Sequence, residues 1–202
     1  MTAVAPGLSP SVEALRAAFG SAVLRSAVSC GDSIVWVDRD RAHEVLAWLK
    51  NTPGQEFNYL TDITAVDYRD PGQPLEVSYQ LRSLGRKVDL RVKVPLDKAK
   101  PLTVDSVFDL WRGADWLERE VFDMFGVRFE GHPELTRILT WDGFNGHPLR
   151  KEFPVEGIDT GAAIYPEHYG PTTGPVAGTG TGWKPPKPTV PSPADGGEGA
   201  GE

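Results

Sequence analysis

The sequence predicts an α+β fold: an antiparallel or mixed sheet with helices packed on one side, followed by an extended C-terminal arm and a disordered Gly/Pro-rich tail. Two segments, "PLEVSYQLRSLG" and "RKVDLRVKVPL", alternate apolar and polar residues, as strands with one buried face do. A change of composition marks the tail, because residues 157–202 hold 11 of the 22 Gly and 8 of the 18 Pro. Such a segment buries too little apolar surface to offset the entropy lost on ordering.

Turn and cap residues place the other elements of the body. "SPSVEALRAAFG" combines a Ser N-cap with Gly20 as a stop, which predicts a short helix, and "DRDRAHEVLAWLKNTPG" predicts a second helix closed by Pro-Gly. Two β-rich runs split at Gly31-Asp32 predict a hairpin. "FNYLTDITAVDYR" predicts a further strand, and Pro95 is expected to end the last one. The predicted divisions are a flexible N-terminus (1–9), a compact α+β domain (10–130), an extended arm (131–169) and a disordered tail (170–202).

Residues 103–125 are predicted to be helical, in two pieces broken near Gly113. At 100° per residue their apolar side chains share one broad stripe, and Glu118 falls inside it while Arg119, Glu120 and Asp123 fall outside. A buried carboxylate without a partner costs several kcal/mol. Glu118 is therefore expected to have a cationic or hydrogen-bonding partner. Ion pairing with arginines is expected for Glu118, Glu120 and Asp123, with Arg137 and Arg150 as the obvious candidates.

Composition excludes several classes of function. A formal charge of −7 without a basic patch argues against nucleic-acid binding. The single cysteine, Cys30, precludes an intrachain disulfide and a thiolate cluster built from this chain alone. No apolar run approaches the roughly 18 residues of a membrane span, and the first twenty residues lack the pattern of a secretion signal.

The doubled Gly-His-Pro of "GHPELTRILTWDGFNGHP" raises the question of a metal or catalytic site. His43, His132 and His147 have no close-spaced ligand set, so each Gly-His-Pro is interpreted as a sharp turn whose His bonds local backbone. Glu118 and Glu120 point roughly 160° apart on one helix and cannot flank a single bond as acid and base. Phosphate-binding glycine motifs and a nucleophile elbow are also missing from the sequence. The charged, turn-rich stretch 118–154 instead indicates a docking arm whose polar groups need an external partner.

This stretch also resembles a known family. "LEREVFDMFGVRFEGHPELTRIL" and "GFNGHPLRKEFP" resemble the signature of the C-type, or 30-kDa-type, subunits of NADH:quinone oxidoreductase (respiratory complex I), and "LTDITAVDY" is similar to the central strand of that family. The positions that match, called the signature residues below, are Glu118, Arg119, Glu120, Asp123, Phe125, Gly126, His132, Arg137, His147, Pro148, Leu149, Arg150 and Lys151.

The resemblance implies a non-catalytic scaffold in the peripheral arm of a proton-translocating complex. Its partners would be the D-type large subunit, which holds the quinone site, and other peripheral-arm subunits, and its arm would dock on that large subunit. The complex uses NADH, FMN, iron–sulfur clusters and quinone, none of which this chain is expected to bind. The implied location is the cytoplasmic side of the cell membrane, reached only through the complex.

Three alternatives stay open at this point. The chain could be the equivalent subunit of a membrane-bound energy-converting hydrogenase or related dehydrogenase, which shares the motif. It could be a free-standing small enzyme using His132 and His147, or an interaction module with no redox connection.

Overall fold

The computed structural model describes residues 9–70, 72–141 and 143–155, and it confirms the α+β class. Its principal elements, in chain order, are α1 (Pro10–Phe19), β1 (Val23–Ser29), β2 (Asp32–Val37), α2 (Ala42–Asn51), β3 (Tyr59–Val66), β4 (Leu75–Ser83), β5 (Val88–Leu96), β6 (Thr103–Asp105), α3 (Ala114–Phe125) and β7 (Arg128–Glu130). Short 3₁₀ turns lie at Gly20–Ala22 and Arg39–Arg41. The Ser9 side chain accepts the N–H of Ser11, and Gly20 follows α1 with a positive φ of 49°, as the caps predicted.

The main sheet is mixed, with strand order β1-β2-β5-β4-β3. The hairpins β1/β2, β3/β4 and β4/β5 are antiparallel, and β2 pairs with β5 in parallel. β6 and β7 form a separate two-stranded parallel pair that flanks α3 in sequence. The β1/β2 hairpin therefore meets the β3–β5 meander along the β2/β5 seam.

One face of the sheet carries the hydrophobic core. Alternate residues such as Val77, Tyr79 and Leu81 of β4 are buried there, together with apolar residues of α1, α2 and α3. This matches the prediction of helices packed on one side. The opposite face bears the long polar side chains of the alternation, among them Lys93 and Arg91 on β5.

Three details of the predicted elements are wrong. Residues 103–113 are not helical, because 103–105 form β6 and pair with β7, and the helix begins only after Gly113. Pro95 does not end β5, which continues to Leu96; it lies beyond the last β5 residue that pairs with β2, where a strand tolerates a missing N–H. Asp123 is fully buried although it lies outside the apolar stripe of α3, because the following segment covers it.

Contacts group the described residues up to Phe153 into one compact unit. This unit includes residues 131–153 of the predicted arm. Predictions for residues 1–8, 156–169 and the 170–202 tail fall outside the described residues. Within the described ranges, no helix has the length and apolarity needed to cross a bilayer.

Candidate functional site

The signature residues meet where helix α3 contacts the described residues of 131–153 (131–141 and 143–153), called the arm segment below. The arm segment has little regular structure and returns along α3 after β7. Three anchors hold it: the carboxyl group of Asp123, the last carbonyl groups of α3, and the carboxyl group of Asp67 at the end of β3.

The first anchor is Asp123, whose carboxylate organises residues 137–140. Its Oδ2 accepts the backbone N–H groups of Ile138, Leu139 and Thr140 at 3.1, 2.8 and 2.8 Å. Its Oδ1 pairs with Arg137 Nη1 at 2.6 Å and accepts the Thr140 hydroxyl. Burial alone would raise the pKa of Asp123, but the Thr140 and Leu139 hydrogen bonds and Arg137 outweigh it and hold this pKa well below its usual range. Asp123 is therefore ionised throughout the neutral range.

The second anchor is the C-terminal end of α3, where the last carbonyl groups of a helix lack partners within the helix. The carbonyls of residues 123–125 accept, in order, His147 Nδ1 at 2.9 Å, the Leu149 N–H at 3.0 Å and Arg150 Nη1 at 3.3 Å. Gly126 ends the helix with φ +76°, a conformation that favours glycine. The arm segment thus supplies the hydrogen-bond donors for the last carbonyl groups of α3.

Two features favour glycine at position 126: its positive φ and the close contact of its backbone with the His147 ring. A Cβ atom on Gly126 would lie 2.6 Å from His147 Cδ2 and 2.7 Å from Nε2. The second Gly-His-Pro is accordingly a turn that seats an imidazole on the helix end. Its His bonds the carbonyl of Asp123, which is distant in sequence, and so the expectation of a purely local bond is wrong for this copy.

The third anchor is Asp67, which holds the end of the arm segment. Its Oδ2 accepts the Lys151 N–H at 2.8 Å and lies 3.8 Å from Arg150 Nε, while Oδ1 lies 2.6 Å from Lys98 Nζ. Burial tends to raise the pKa of Asp67, but Lys98, the Lys151 N–H and Arg150 reverse the shift and lower it. An ionised carboxylate at the end of β3 therefore ties two signature residues, Arg150 and Lys151, to the body.

Glu118 is fully buried, and its partners differ from those expected. Oε2 accepts the Ser106 hydroxyl at 2.6 Å, and Oε1 accepts the Val107 N–H at 2.7 Å. The expectation of a hydrogen-bonding partner is confirmed. The expected ion pair with an arginine is confirmed for Asp123, which pairs with Arg137. It is wrong for Glu118, and Arg150 pairs with Asp67 and Glu152.

Burial raises the pKa of Glu118 to about 7. The hydrogen bonds from Ser106 and Val107 lower it, and the nearby charges of Asp109 and Asp115 raise it again. His132 Nε2 is the one basic nitrogen of the described chain within 4 Å, at 3.9 Å from Oε2.

His132 belongs to the first Gly-His-Pro and is enclosed by the protein. Its Nδ1 accepts the N–H of Glu134 at 3.1 Å, which is the local bond expected for this turn. Its Nε2 faces the carbonyl and the carboxylate of Asp115, each at 3.3 Å. No cluster of three or more potential metal ligands occurs among the described residues.

Arg119 and Glu120 behave differently from each other. Arg119 lies along the arm segment and donates to the carbonyls of Thr136 and Arg137, both at 3.1 Å. The side chain of Glu120 is exposed and makes no hydrogen bond or ion pair within the described ranges. Of the charged signature residues on α3, Glu120 alone has its side chain directed away from the described chain.

The expectation that the polar groups of the arm segment need an external partner is wrong for those that anchor it, which bond within the chain. Large apolar side chains remain uncovered instead. Trp116 of α3 is 63% exposed, and Leu139, Leu149 and Trp141 of the arm segment are 63%, 50% and 37% exposed. Large exposed apolar side chains on one segment and the helix it packs against favour an interaction surface there.

A polar cluster on the opposite face of the sheet escaped the sequence analysis. Glu76 of β4 is buried and accepts from Trp36 Nε1 at 2.7 Å, the Tyr68 hydroxyl at 2.7 Å and Lys93 Nζ at 2.8 Å. Burial tends to raise the pKa of Glu76, but these three donors lower it overall. The sequence did contain a signal for this cluster: Glu76 and Lys93 both fall on the polar face of the predicted strands, which are consecutive along the chain.

A family model described as the 30-kDa subunit of the respiratory-chain NADH dehydrogenase matches residues 35–159. The chain belongs to this family. The matched range contains all the signature residues and all three anchors. The predicted resemblance is therefore confirmed.

Individual relatives agree with the 30-kDa family assignment. The NADH-quinone oxidoreductase C subunit of Citrifermentans bemidjiense is 43% identical over 145 residues, which cover 72% of this chain and 88% of that protein. The NADH-quinone oxidoreductase C/D subunit of Acidiphilium cryptum is 43% identical over 140 residues, covering 66% of this chain and 24% of that longer protein.

Two solved structures share the fold. A trypsin-resistant fragment (1–134) of Nqo5 superposes with a TM-score of 0.53 at 35% identity, covering 61% of this chain and 96% of the fragment. A chain of the membrane-bound sulfane sulfur reductase, an archaeal respiratory membrane complex, has a TM-score of 0.58 at 26% identity, covering 71% of this chain and 84% of that one.

Proposed function

We propose that this chain is a scaffold subunit of a respiratory NADH:quinone oxidoreductase and docks the quinone-site large subunit through its arm segment. The observation that carries the proposal is that polar and apolar side chains of the site have different surroundings. The anchoring polar groups bond within the chain, while Leu139, Leu149, Trp141 and Trp116 present apolar surface outwards. A segment held rigidly before it meets its partner binds without an added ordering cost.

The Acidiphilium cryptum relative supports the choice of partner. Its name gives the C and D subunits together, and the part similar to this chain occupies 24% of its length. Two subunits joined in one polypeptide in a relative are expected to be neighbours where they are separate chains. We therefore propose a large subunit of the D type as the partner of the arm segment.

In this proposal the chain contributes position, and the electron carriers belong to other subunits. With one cysteine, it cannot by itself supply the four thiolates of an iron–sulfur cluster. We expect FMN, the clusters and quinone to bind elsewhere in the complex, and association with the cytoplasmic side of the membrane to occur only through that complex.

The decisive experiment replaces exposed leucines of the arm segment. Leu139→Ser and Leu149→Ser are combined in the native complex, and Leu84→Ser together with Leu24→Ser serves as a control, since Leu84 and Leu24 are 55% and 51% exposed on the body. A leucine that is half exposed in the free chain and becomes buried on docking contributes roughly 1–2 kcal/mol to the binding free energy, and replacing it by serine removes this contribution. The arm pair is expected to weaken docking by at least about tenfold.

Two measurements read the result: co-purification of the large subunit, and NADH:quinone reductase activity of washed membranes. The arm variant should lose both while its circular dichroism stays unchanged, and the control should keep both. Equal retention by the two variants would refute docking through the arm segment.

The structural likeness to the sulfane sulfur reductase chain favours one second candidate, a scaffold role in a respiratory complex with a different electron donor or acceptor. Purification of the tagged chain from native membranes separates the two. Co-purification with a flavin-containing NADH-oxidising module supports the first function, and its absence from an otherwise intact complex supports the second.

A further inference from the structure

Glu118 occupies an enclosed polar cluster that the docking role does not require. The cluster joins three parts of the chain: the turn after β6 through Ser106 and Val107, helix α3 through Glu118 itself, and the arm segment through His132. Glu118 and the side chain of His132 are both fully enclosed. Asp115, whose side chain is 34% exposed, lies 3.3 Å from His132 and connects the cluster to the surface.

The electrostatic surroundings of Glu118 favour a neutral carboxyl group. No lysine or arginine nitrogen of the described residues lies within 4 Å of it. The ionisable groups that act on Glu118, or on which it acts, come from the turn after β6, α3, the arm segment and β4; they are Asp109, Asp115, His132 and Tyr79. The two aspartates lie on different elements, so a negative charge on Glu118 is opposed from both.

The His132 ring lies beside this carboxyl group. Since Nδ1 accepts the Glu134 N–H, the proton of the neutral ring is assigned to Nε2. Nε2 donates to the Asp115 carbonyl at 3.3 Å, and it lies 3.3 Å from Asp115 Oδ1 and 3.9 Å from Glu118 Oε2. Ionisation of Glu118 would strengthen the attraction between its carboxylate and this N–H, and hence between α3 and the beginning of the arm segment.

The contrast with Asp123 shows that the arrangement of Glu118 is particular. Asp123 lies five positions further along α3 and is also buried, yet it has Arg137 and three backbone N–H donors and stays ionised. Glu118 has one backbone N–H, one hydroxyl group and acidic neighbours. Neighbouring carboxyl groups whose surroundings separate their proton affinities in this way are poised for different roles.

We propose that Glu118 is a proton-binding site, exchanging one proton with solvent in the neutral pH range through the Asp115–His132 side of the cluster. Proton release leaves a carboxylate that accepts from Ser106 and Val107 and lies 3.9 Å from His132 Nε2, and proton uptake restores the neutral acid. Burial raises the pKa of Glu118 to about 7, which agrees with exchange in this range.

Carbon NMR of the full-length chain labelled at the glutamate carboxyl carbons tests the site. The resonance that disappears in Glu118→Gln is expected to titrate with a midpoint near pH 7. Glu120→Gln makes the same chemical change on the exposed face of α3 and is expected to leave that resonance in place. A midpoint below about pH 5, the range of ordinary glutamates, or no titration between about pH 4 and 9, overturns the proposal.

The two histidines provide an internal comparison. The ring nitrogen signals of His132 are expected to shift with the Glu118 midpoint in the wild type and to lose that shift in Glu118→Gln. His147, which bonds the Asp123 carbonyl, is expected to show no such dependence. A His132 signal indifferent to Glu118→Gln would contradict the assigned route.

If Glu118→Gln does not fold, Ser106→Ala provides the test. The Glu118 resonance is then assigned in the wild type by through-bond correlation experiments. Ser106→Ala removes the hydroxyl that stabilises the charged form, so the midpoint of Glu118 is expected to rise. A midpoint that stays constant or falls would count against the proposal.

Discussion

Replacing Gly126 by alanine tests the junction between α3 and the arm segment. Gly126 has φ +76°, where alanine costs about 1–2 kcal/mol. The added Cβ would also lie 2.6 Å from the His147 ring, so the ring must move. Its displacement breaks the 2.9 Å hydrogen bond to the Asp123 carbonyl, worth about 1 kcal/mol. We expect a total loss of roughly 2–3 kcal/mol in the free energy of unfolding.

Gly131→Ala is the matched control. Gly131 has a similar φ of +82°, but a Cβ there would meet nothing within 4 Å. It is expected to cost only the backbone strain of about 1–2 kcal/mol. The difference between the two alanine variants therefore reports the contact with His147.

A double-mutant cycle isolates that contact. In a His147→Ala background the ring is gone, so Gly126→Ala should cost about as much as Gly131→Ala, which predicts a coupling of about 1 kcal/mol. Urea unfolding of the full chain, followed by circular dichroism, measures all four free energies. Equal costs for Gly126→Ala with and without the ring would refute the proposed seating of His147 on the helix end.

Three further predictions concern buried carboxyl groups, each read by urea unfolding. Asp123→Asn removes the charge paired with Arg137 and is expected to cost roughly 2–4 kcal/mol at pH 7; a cost below about 1 kcal/mol would contradict the anchor role. Because the folded pKa of Glu118 is raised, its stability contribution is complete at acid pH and is lost as pH rises from about 4.5 through about 7, a total of roughly 3 kcal/mol that Glu118→Gln should abolish. Because the folded pKa of Glu76 is lowered, Glu76→Gln should be destabilising near pH 7 by roughly 1–3 kcal/mol, and the difference from wild type should shrink as pH falls through the folded pKa; a difference independent of pH would exclude a charge effect with Lys93.

The elements that sequence analysis placed correctly are those determined by local patterns. Alternation of side chains located β4 and β5, and the caps Ser9 and Gly20 located α1. The apolar stripe identified the buried face of α3 and the anomaly of Glu118 within it. Each of these signals extends over about ten residues and needs no knowledge of distant partners.

The failures mainly concern pairings between residues distant in sequence. Residues 103–105 become a strand only because β7, which follows α3, supplies a parallel partner. Asp123 was expected outside the buried stripe because helix periodicity does not show that residues 137–140 return to cover it. The partners of Glu118 were misjudged for the same reason, since charge alone favoured an arginine where the fold supplies a hydroxyl and a backbone N–H.

The anchoring charges of the family signature act within the chain, and this changes how variants at these positions should be interpreted. Asp123, Arg137 and Arg150 bond to other parts of the same chain, so their loss should first appear as lower stability of the isolated protein. Leu139 and Leu149 are exposed, so their loss should leave the isolated protein intact and weaken assembly only. An assembly defect alone therefore does not distinguish a contact residue from an anchor. Measuring the stability of the isolated chain beside assembly separates the two, because only an anchor variant should lower both.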